Sequence, residues 1–291
     1  MKLKLLGLSA IGASGAGGWY LFGNIRPKNV EEYLTRSGLK LLAWDSEYSW
    51  KAVLEENKEL LKNILKKDPD SQSIKQWCRD ILPREDYEKY AKAASLVCVD
   101  NPQTVKGKII QLDGGISSLI EGLQDGNKDE KYKVSYVWKK HMSAAMELIS
   151  FTPPEEGEGL EQGGKALGDW CKKALQEKPN DTLVSNVKLL CSPMPFDDIS
   201  GLIEKNGENS KMLSDYSTKY NSIKELDTWK NDDTVKSIQN QQNQQNQQDQ
   251  KILEQWCNDS KSKKFSKEGT FSERYPKFRF RCLQDADGGK K

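Results

Sequence analysis

The sequence predicts an all-α protein: an apolar anchor at the amino terminus, then three small helical repeats, each closed by one disulfide. Three observations carry that expectation. An uncharged run separates Lys4 from Arg26, apolar residues recur at three- and four-residue intervals with little strand-like alternation, and six cysteines fall in pairs beside repeated Trp-Cys dipeptides. Across 291 residues, 45 Lys+Arg face 43 Asp+Glu, a net charge of +2, and the mean hydropathy is -0.79. That balance argues against a polytopic membrane protein and against a globally basic nucleic-acid binder.

Residues 1–4 carry two lysines and form the expected cytoplasmic start, and 5–23 are rich in Leu, Ile, Ala and Gly. This stretch approaches the roughly 20 residues that a helix needs to cross a bilayer. Trp19, Tyr20 and Phe22 lie near its outer end, and Arg26-Pro27-Lys28 closes it. The pattern is that of an uncleaved signal-anchor. A cleaved signal peptide, with Leu3 to Ile11 as its core and Ser14-Gly15-Ala16 as its cleavage site, is the alternative. Either way the bulk of the chain is expected outside the cytoplasm, on a single-pass anchor or secreted. No cysteine precedes Cys78, so a lipid-modified cysteine just after the signal is excluded. Gly12, Gly15, Gly17 and Gly18 lack the preceding strand that a phosphate-binding loop requires and suit close helix packing instead.

Helical periodicity then runs through most of the chain. It predicts helices over 30–43, 50–67, 71–82, 85–99, 131–150, 160–176, 182–190, 211–229 and 234–256. Pro69 ends the second of these and Pro83 marks a corner between the third and fourth. The glycine-rich stretch 114–127 suits a connector, and Pro153-Pro154 before Glu155 to Gly159 suits an exposed turn. Residues 239–250, a Gln/Asn-rich run of three-residue period, fit neither a heptad nor a packed face. They are expected as a solvated helical extension or loop.

Trp77-Cys78, Trp170-Cys171 and Trp256-Cys257 each have an aliphatic residue three positions before the Trp. Each dipeptide is followed by one further cysteine, Cys98, Cys191 and Cys282. This order divides the chain into a first repeat with its connector at 30–128, a second at 129–211 and a third at 212–291, with Trp77, Trp170 and Trp256 as core residues. Of the 15 pairings that six cysteines allow, the repeat selects Cys78 with Cys98, Cys171 with Cys191 and Cys257 with Cys282. A loop of that size contributes about 3 kcal/mol by chain entropy. Six free, buried thiols are the alternative. Zinc is disfavoured because no two cysteines lie closer than 20 residues and His141 is the sole histidine; no C-x-x-C redox motif occurs.

Nothing in the sequence specifies catalysis. His141 has no nucleophile or acid at a spacing that defines a triad, and the pairs Glu155-Glu156, Asp197-Asp198 and Asp232-Asp233 suit helix caps and solvated faces. No phosphate loop, nucleophile elbow or metalloprotease helix occurs, and no cofactor or metal is implied. One stretch, 261–281, holds eight cations against two Glu: Lys261, Lys263, Lys264, Lys267, Arg274, Lys277, Arg279 and Arg281. Interleaved with Phe265, Phe271, Tyr275, Phe278 and Phe280, it is either a patch for nucleic acid or an anionic glycan or lipid, or the closing segment of the third repeat with its rings packed inward.

The layout of a short lysine-containing start, the apolar 5–23, Glu31-Glu32-Tyr33-Leu34 and three Trp-Cys pairs resembles the paralogous, uncharacterised proteins of the haemotropic mycoplasmas. The excess of lysine over arginine suits an AT-rich genome. The resemblance implies a membrane-anchored or exported surface protein of a diversifying family, in contact with a host-cell surface or host protein or engaged in antigenic variation. Capture of nucleic acid or anionic glycan, and an exported enzyme, are the alternatives to that interaction role.

Overall fold

The structure is a computed structural model and describes residues 26–124, 126–242 and 250–284. The predicted start 1–4, the predicted span 5–23 and most of the Gln/Asn-rich run lie outside the described residues. Among the described residues no helix is long and apolar enough to cross a membrane. The described chain is all-helical, with no strand beyond three isolated bridges. It divides into two units between Gly115 and Ile116. The stretch 116–124, expected as the connector of a first repeat, therefore belongs to the second unit, where Leu119 and Ile120 are fully buried.

The first unit contains α1 (Val30–Arg36), α2 (Glu47–Glu56), α3 (Lys58–Leu65), α4 (Ser71–Ile81), α5 (Tyr87–Val97) and α6 (Val105–Asp113). Helix α1 packs on α5, α2 on both α4 and α6. Val30, Leu34, Trp50, Leu61, Ile74 and Val97 form its core around Cys78–Cys98. Two expected helices are shorter than predicted. The one over 30–43 stops at Arg36, because Gly38 at φ 76° closes a turn in which Gly38 N–H donates to Thr35 O and Leu39 N–H to Leu34 O. The one over 50–67 divides into α2 and α3 at Asn57, whose side-chain amide donates to Val53 O and competes with the helical ladder. Helix α6 was not expected. Its start is held by Glu56, whose carboxylate accepts Thr104 N–H at 2.7 Å and Thr104 Oγ1 at 2.6 Å. A Cβ on Gly107 would stand 2.0 Å from that carboxylate, so the glycine that hides the helix from periodicity is what lets it dock.

The second unit contains α7 (Lys128–Lys139), α8 (Ser143–Leu148), α9 (Leu160–Ala174), α10 (Asp181–Leu190), α11 (Ile199–Lys205), α12 (Ser217–Ile223), α13 (Asp227–Lys230), α14 (Asp233–Gln242), α15 (Gln250–Lys261) and α16 (Tyr275–Cys282), the last entered through a π-helical turn at Thr270–Arg274. The predicted helices over 131–150 and 211–229 are each broken, into α7 and α8 and into α12 and α13. Helices α7 and α9 pack closely. Cβ atoms on Gly163 and Gly168 would lie 2.1 and 3.1 Å from the rings of Tyr136 and Tyr132, so the α9 glycines admit tyrosines against its backbone. Burial pushes the Tyr136 hydroxyl up to about 12, aided by the charge of Glu268.

Two carboxylates then join distant segments reciprocally. Glu268 accepts Glu158 N–H and Leu160 N–H at the start of α9, at 3.1 and 3.0 Å, while the fully buried Glu158 accepts Ser272 N–H at 2.6 Å and Ser272 Oγ at 2.8 Å in the π-helical turn. Each carboxylate occupies the positive end of the other's helical segment. Beside this clasp, Trp138 meets Phe196, Phe265 and Phe271 edge-on at 4.9 to 5.4 Å.

The same local arrangement recurs at each disulfide. Asn29, Thr104 and Asp198 cap short helices by accepting the N–H three residues on, at 2.8, 2.9 and 2.8 Å. A fully buried β-branched residue follows each cap, Val30, Val105 or Ile199, and a left-handed glycine ends or follows each helix, Gly38, Gly114 or Gly207. Further along, Leu42, Ile120 and Leu213 donate their N–H to the carbonyls of Cys98, Cys191 and Cys282, at 3.0, 2.8 and 3.0 Å. The bonds Cys78–Cys98, Cys171–Cys191 and Cys257–Cys282 span Cα distances of 5.8, 5.8 and 5.7 Å, and all six cysteines are buried.

Two buried cations distinguish the second unit. Lys139 lies 7% exposed at the end of α7, where Nζ donates to Ser135 Oγ at 2.5 Å and to Leu190 O and Ser192 O at 3.1 and 3.4 Å, on either side of Cys191. Burial pushes its pKa down to about 8. Arg281, 2% exposed, donates to Asp232 at 2.7 Å and to Thr228 O at 2.5 Å. Its guanidinium lies over the rings of Trp256 and Trp229 at 4.4 and 5.0 Å.

Two outcomes follow from these groups. The depressed Lys139 pKa makes the native state bind fewer protons than the unfolded chain between about pH 8 and the free-lysine value. The penalty of burying the ammonium is thus complete below pH 8, and stability rises with pH through that window, by on the order of 3 kcal/mol in total. Urea unfolding at pH 7.5 and 9.5 should show this rise in the natural chain and not in Lys139→Met; equal slopes in both would exclude it. Arg281→Ala, which strands a buried Asp232, should cost about 3–5 kcal/mol. A double-mutant cycle with Asp232→Ala measures the coupling, and strictly additive losses would deny it.

Candidate functional site beside helix α8

The concavity with the largest gathering of unengaged polar side chains lies beside α8. Helix α7 ends at Lys139, Met142 N–H donates back to Lys139 O at 2.8 Å, and α8 begins one residue later. Helix α8 closes in a Schellman motif: Ser150 N–H donates to Glu147 O at 3.1 Å and Phe151 N–H to Met146 O at 3.0 Å. That motif pairs Met146 with Phe151, and the two form an apolar floor, with Phe151 fixed edge-on to Tyr136 at 5.6 Å. The pocket is shallow and open, about 450 Å³, rimmed by Lys140, His141, Ser143, Glu147, Ser150 and Thr152. Among the described residues none of these six side chains makes a hydrogen bond or ion pair.

Ser150 also lines a second groove of about 530 Å³, on the other side of α8, whose apolar walls are Leu148, Ile149, Ala166, Trp170, Ala174 and Leu183. A third cleft, about 460 Å³ between α7 and α9, is different in kind. There Lys133 pairs with Glu161 and Lys165 with Asp169, both at 2.5 Å, so its charges already answer one another.

The residues singled out in the sequence are distributed unevenly around these features. His141 stands on the pocket rim, with its ring 6.3 Å from that of Phe271 and no serine, cysteine or carboxylate hydrogen-bonded to it among the described residues. Trp256 is fully buried, whereas Trp77 and Trp170 are half-buried. The reason is helical geometry: Ile74 with Cys78 and Leu167 with Cys171 hold the core face at i and i+4, and the Trp one position before each Cys is turned about 100° away. For Trp170 that rotation delivers the ring to the groove.

The basic segment is taken up by the fold. Lys264 pairs with Glu130 at 2.9 Å, Lys277 with Asp232 at 3.7 Å and Arg279 with Glu208 at 2.7 Å. Arg274 donates to Thr234 Oγ1 at 2.5 Å and covers the Trp256 ring at 5.1 Å, and Arg281 is buried as described. Hydrogen bonding to Glu208 raises the Arg279 pKa and bonding to Glu130 raises that of Lys264. Phe265 and Phe278 are fully buried and only Phe280 is half exposed. Lys261, Lys263 and Lys267 alone of the eight lack a side-chain partner among the described residues. Nor does any group of three His, Cys, Asp or Glu side chains come together among the described residues in a way that could hold a metal ion.

No protein-family model, curated protein or solved structure matches this chain.

Ser150 adopts φ 53°, the left-handed region that glycine occupies at other helix ends. An L-residue there costs roughly 1–2 kcal/mol. Ser150→Gly should therefore stabilise the second unit by about 1 kcal/mol, read as a raised urea midpoint. A neutral or lowered midpoint would mean that the Ser150 side chain contributes more than its strain.

Proposed function

We propose that this chain is an exported interaction protein, held at the membrane by its amino-terminal segment and built of three copies of one disulfide-braced helical unit, with no catalysis. The observation that carries the reading is the threefold recurrence of capped leading helix, glycine turn and N–H to the second cysteine carbonyl around three buried disulfides. Disulfides at fixed places in a repeated frame belong to chains that mature in an oxidising compartment. In this reading the copies begin at the caps Asn29, Thr104 and Asp198, earlier than the boundaries at 129 and 212 that periodicity suggests for the second and third.

The similarity in layout to the haemotropic mycoplasma surface proteins supports the same placement and implies a host cell or host protein as the partner. Within the described residues the side chains free to meet a partner gather beside α8, in a pocket with an apolar floor and a polar rim. The internal pairing of the 261–281 cations speaks against nucleic acid or an anionic glycan as the main ligand.

A non-reduced peptide map of the protein from its native cells tests this proposal. Bridges joining Cys78 to Cys98, Cys171 to Cys191 and Cys257 to Cys282, with the carboxy-terminal region cut by protease added to intact cells, are expected. Six free thiols, or full protection from the protease, would sink the export reading.

A further inference from the structure

We infer that the pocket beside α8 recognises an acidic residue in an extended segment of a partner protein, and that the adjoining Trp170 groove receives a large apolar side chain of the same segment. The inference rests on the proposed interaction role and names the chemistry of its site.

Charge and hydrogen-bonding capacity select the acid. The Lys140 ammonium has no carboxylate partner among the described residues, and it stands with the His141 imidazole and the hydroxyls of Ser143, Ser150 and Thr152 around one bowl. These groups offer donors without a matching acceptor, and a carboxylate is an acceptor-only group that answers several donors at once. Glu147, the one acid on the rim, leaves an acceptor for a backbone N–H of the bound segment.

Shape selects the extended chain. An open bowl of about 450 Å³ is too shallow to enclose a small molecule yet admits a side chain. Through Ser150 it continues into the groove walled by Trp170 and Leu183. Two concavities that share one residue match a strand-like peptide, whose alternate side chains lie about 7 Å apart on one face. Met146 and Phe151 beneath the first subsite and Trp170 beside the second supply apolar contact for the methylenes of an acid and for a leucine-sized group.

The test uses the full chain in detergent micelles with histidine labelled by carbon-13, because the sole histidine, His141, gives a single ring signal. The probes are the peptides acetyl-Gly-Asp-Ser-Leu-Gly-amide, its lysine-for-aspartate analogue and its alanine-for-leucine analogue. A saturable shift of the His141 signal with the acidic peptide is expected, at least ten-fold weaker with the lysine peptide. Lys140→Glu should invert that preference, and Trp170→Ala should weaken the leucine peptide without affecting the alanine one. Equal shifts with the acidic and lysine peptides, no shift at millimolar peptide, or an unchanged preference in Lys140→Glu would each overturn the proposal. Three intact bridges alongside a silent His141 signal would refute acid recognition alone, whereas free thiols in native cells would refute the export reading and leave the peptide result standing.

Discussion

Each disulfide closes on a cysteine whose carbonyl also receives a backbone N–H from the segment behind a capped helix. At Cys98, Cys191 and Cys282 a covalent bond and a hydrogen bond therefore converge on one residue, and both are buried. The position matters because helices of seven to twelve residues are marginal alone, and small cores bury too little surface to hold them. A bridge spanning 20 to 25 residues contributes about 3 kcal/mol. Tying that bridge to the incoming segment passes the constraint to the leading helix, whose buried Val30, Val105 or Ile199 sits directly after its cap.

The second unit adds polar ties to this frame. The Glu158 and Glu268 clasp, the Asp232–Arg281 pair between two indoles, and Lys139 on the carbonyls beside Cys191 all join segments that are far apart in sequence. Buried charges of this kind are costly to break and contribute modestly to net stability compared with an apolar filling. Their geometry is directional, so they fix which helix ends meet.

How much of this was legible in the sequence depended on whether a signal was local. The all-helical class and the three cysteine pairings were legible, because periodicity and the order of Trp-Cys dipeptides are properties of the chain itself. Helices α6 and α11 were not, since Gly107 and Gly201 lower their apparent propensity while serving contacts with Glu56 and Phe196. The half-burial of Trp77 and Trp170 follows from one residue's rotation around a helix whose core face only the fold defines. The basic run 261–281 misled for a related reason. Its partners Glu130, Glu208 and Asp232 lie up to 134 residues away, and no local rule pairs them. The pocket was equally hidden, because the break after Lys139 and the left-handed Ser150 interrupt what periodicity presents as one helix.

Where the chain varies around its frame bears on where function resides. The interval between the two cysteines is nearly constant, at 20, 20 and 25 residues. The interval from the N–H donor to the first cysteine is shortest from Leu42 to Cys78, longer from Leu213 to Cys257 and longest from Ile120 to Cys171. That elastic interval holds the Gln/Asn-rich run in one case and α8, Ser150 and the turn at Pro153 in another. Lengthening it adds little loop-closure entropy, because the cost grows only with the logarithm of length, and it leaves the disulfide and its carbonyl contact undisturbed. A scaffold arranged in this way can change its recognition surface without renegotiating its core. The pocket beside α8, with its unengaged Lys140 and His141, lies in the segment where such change is least costly to the fold.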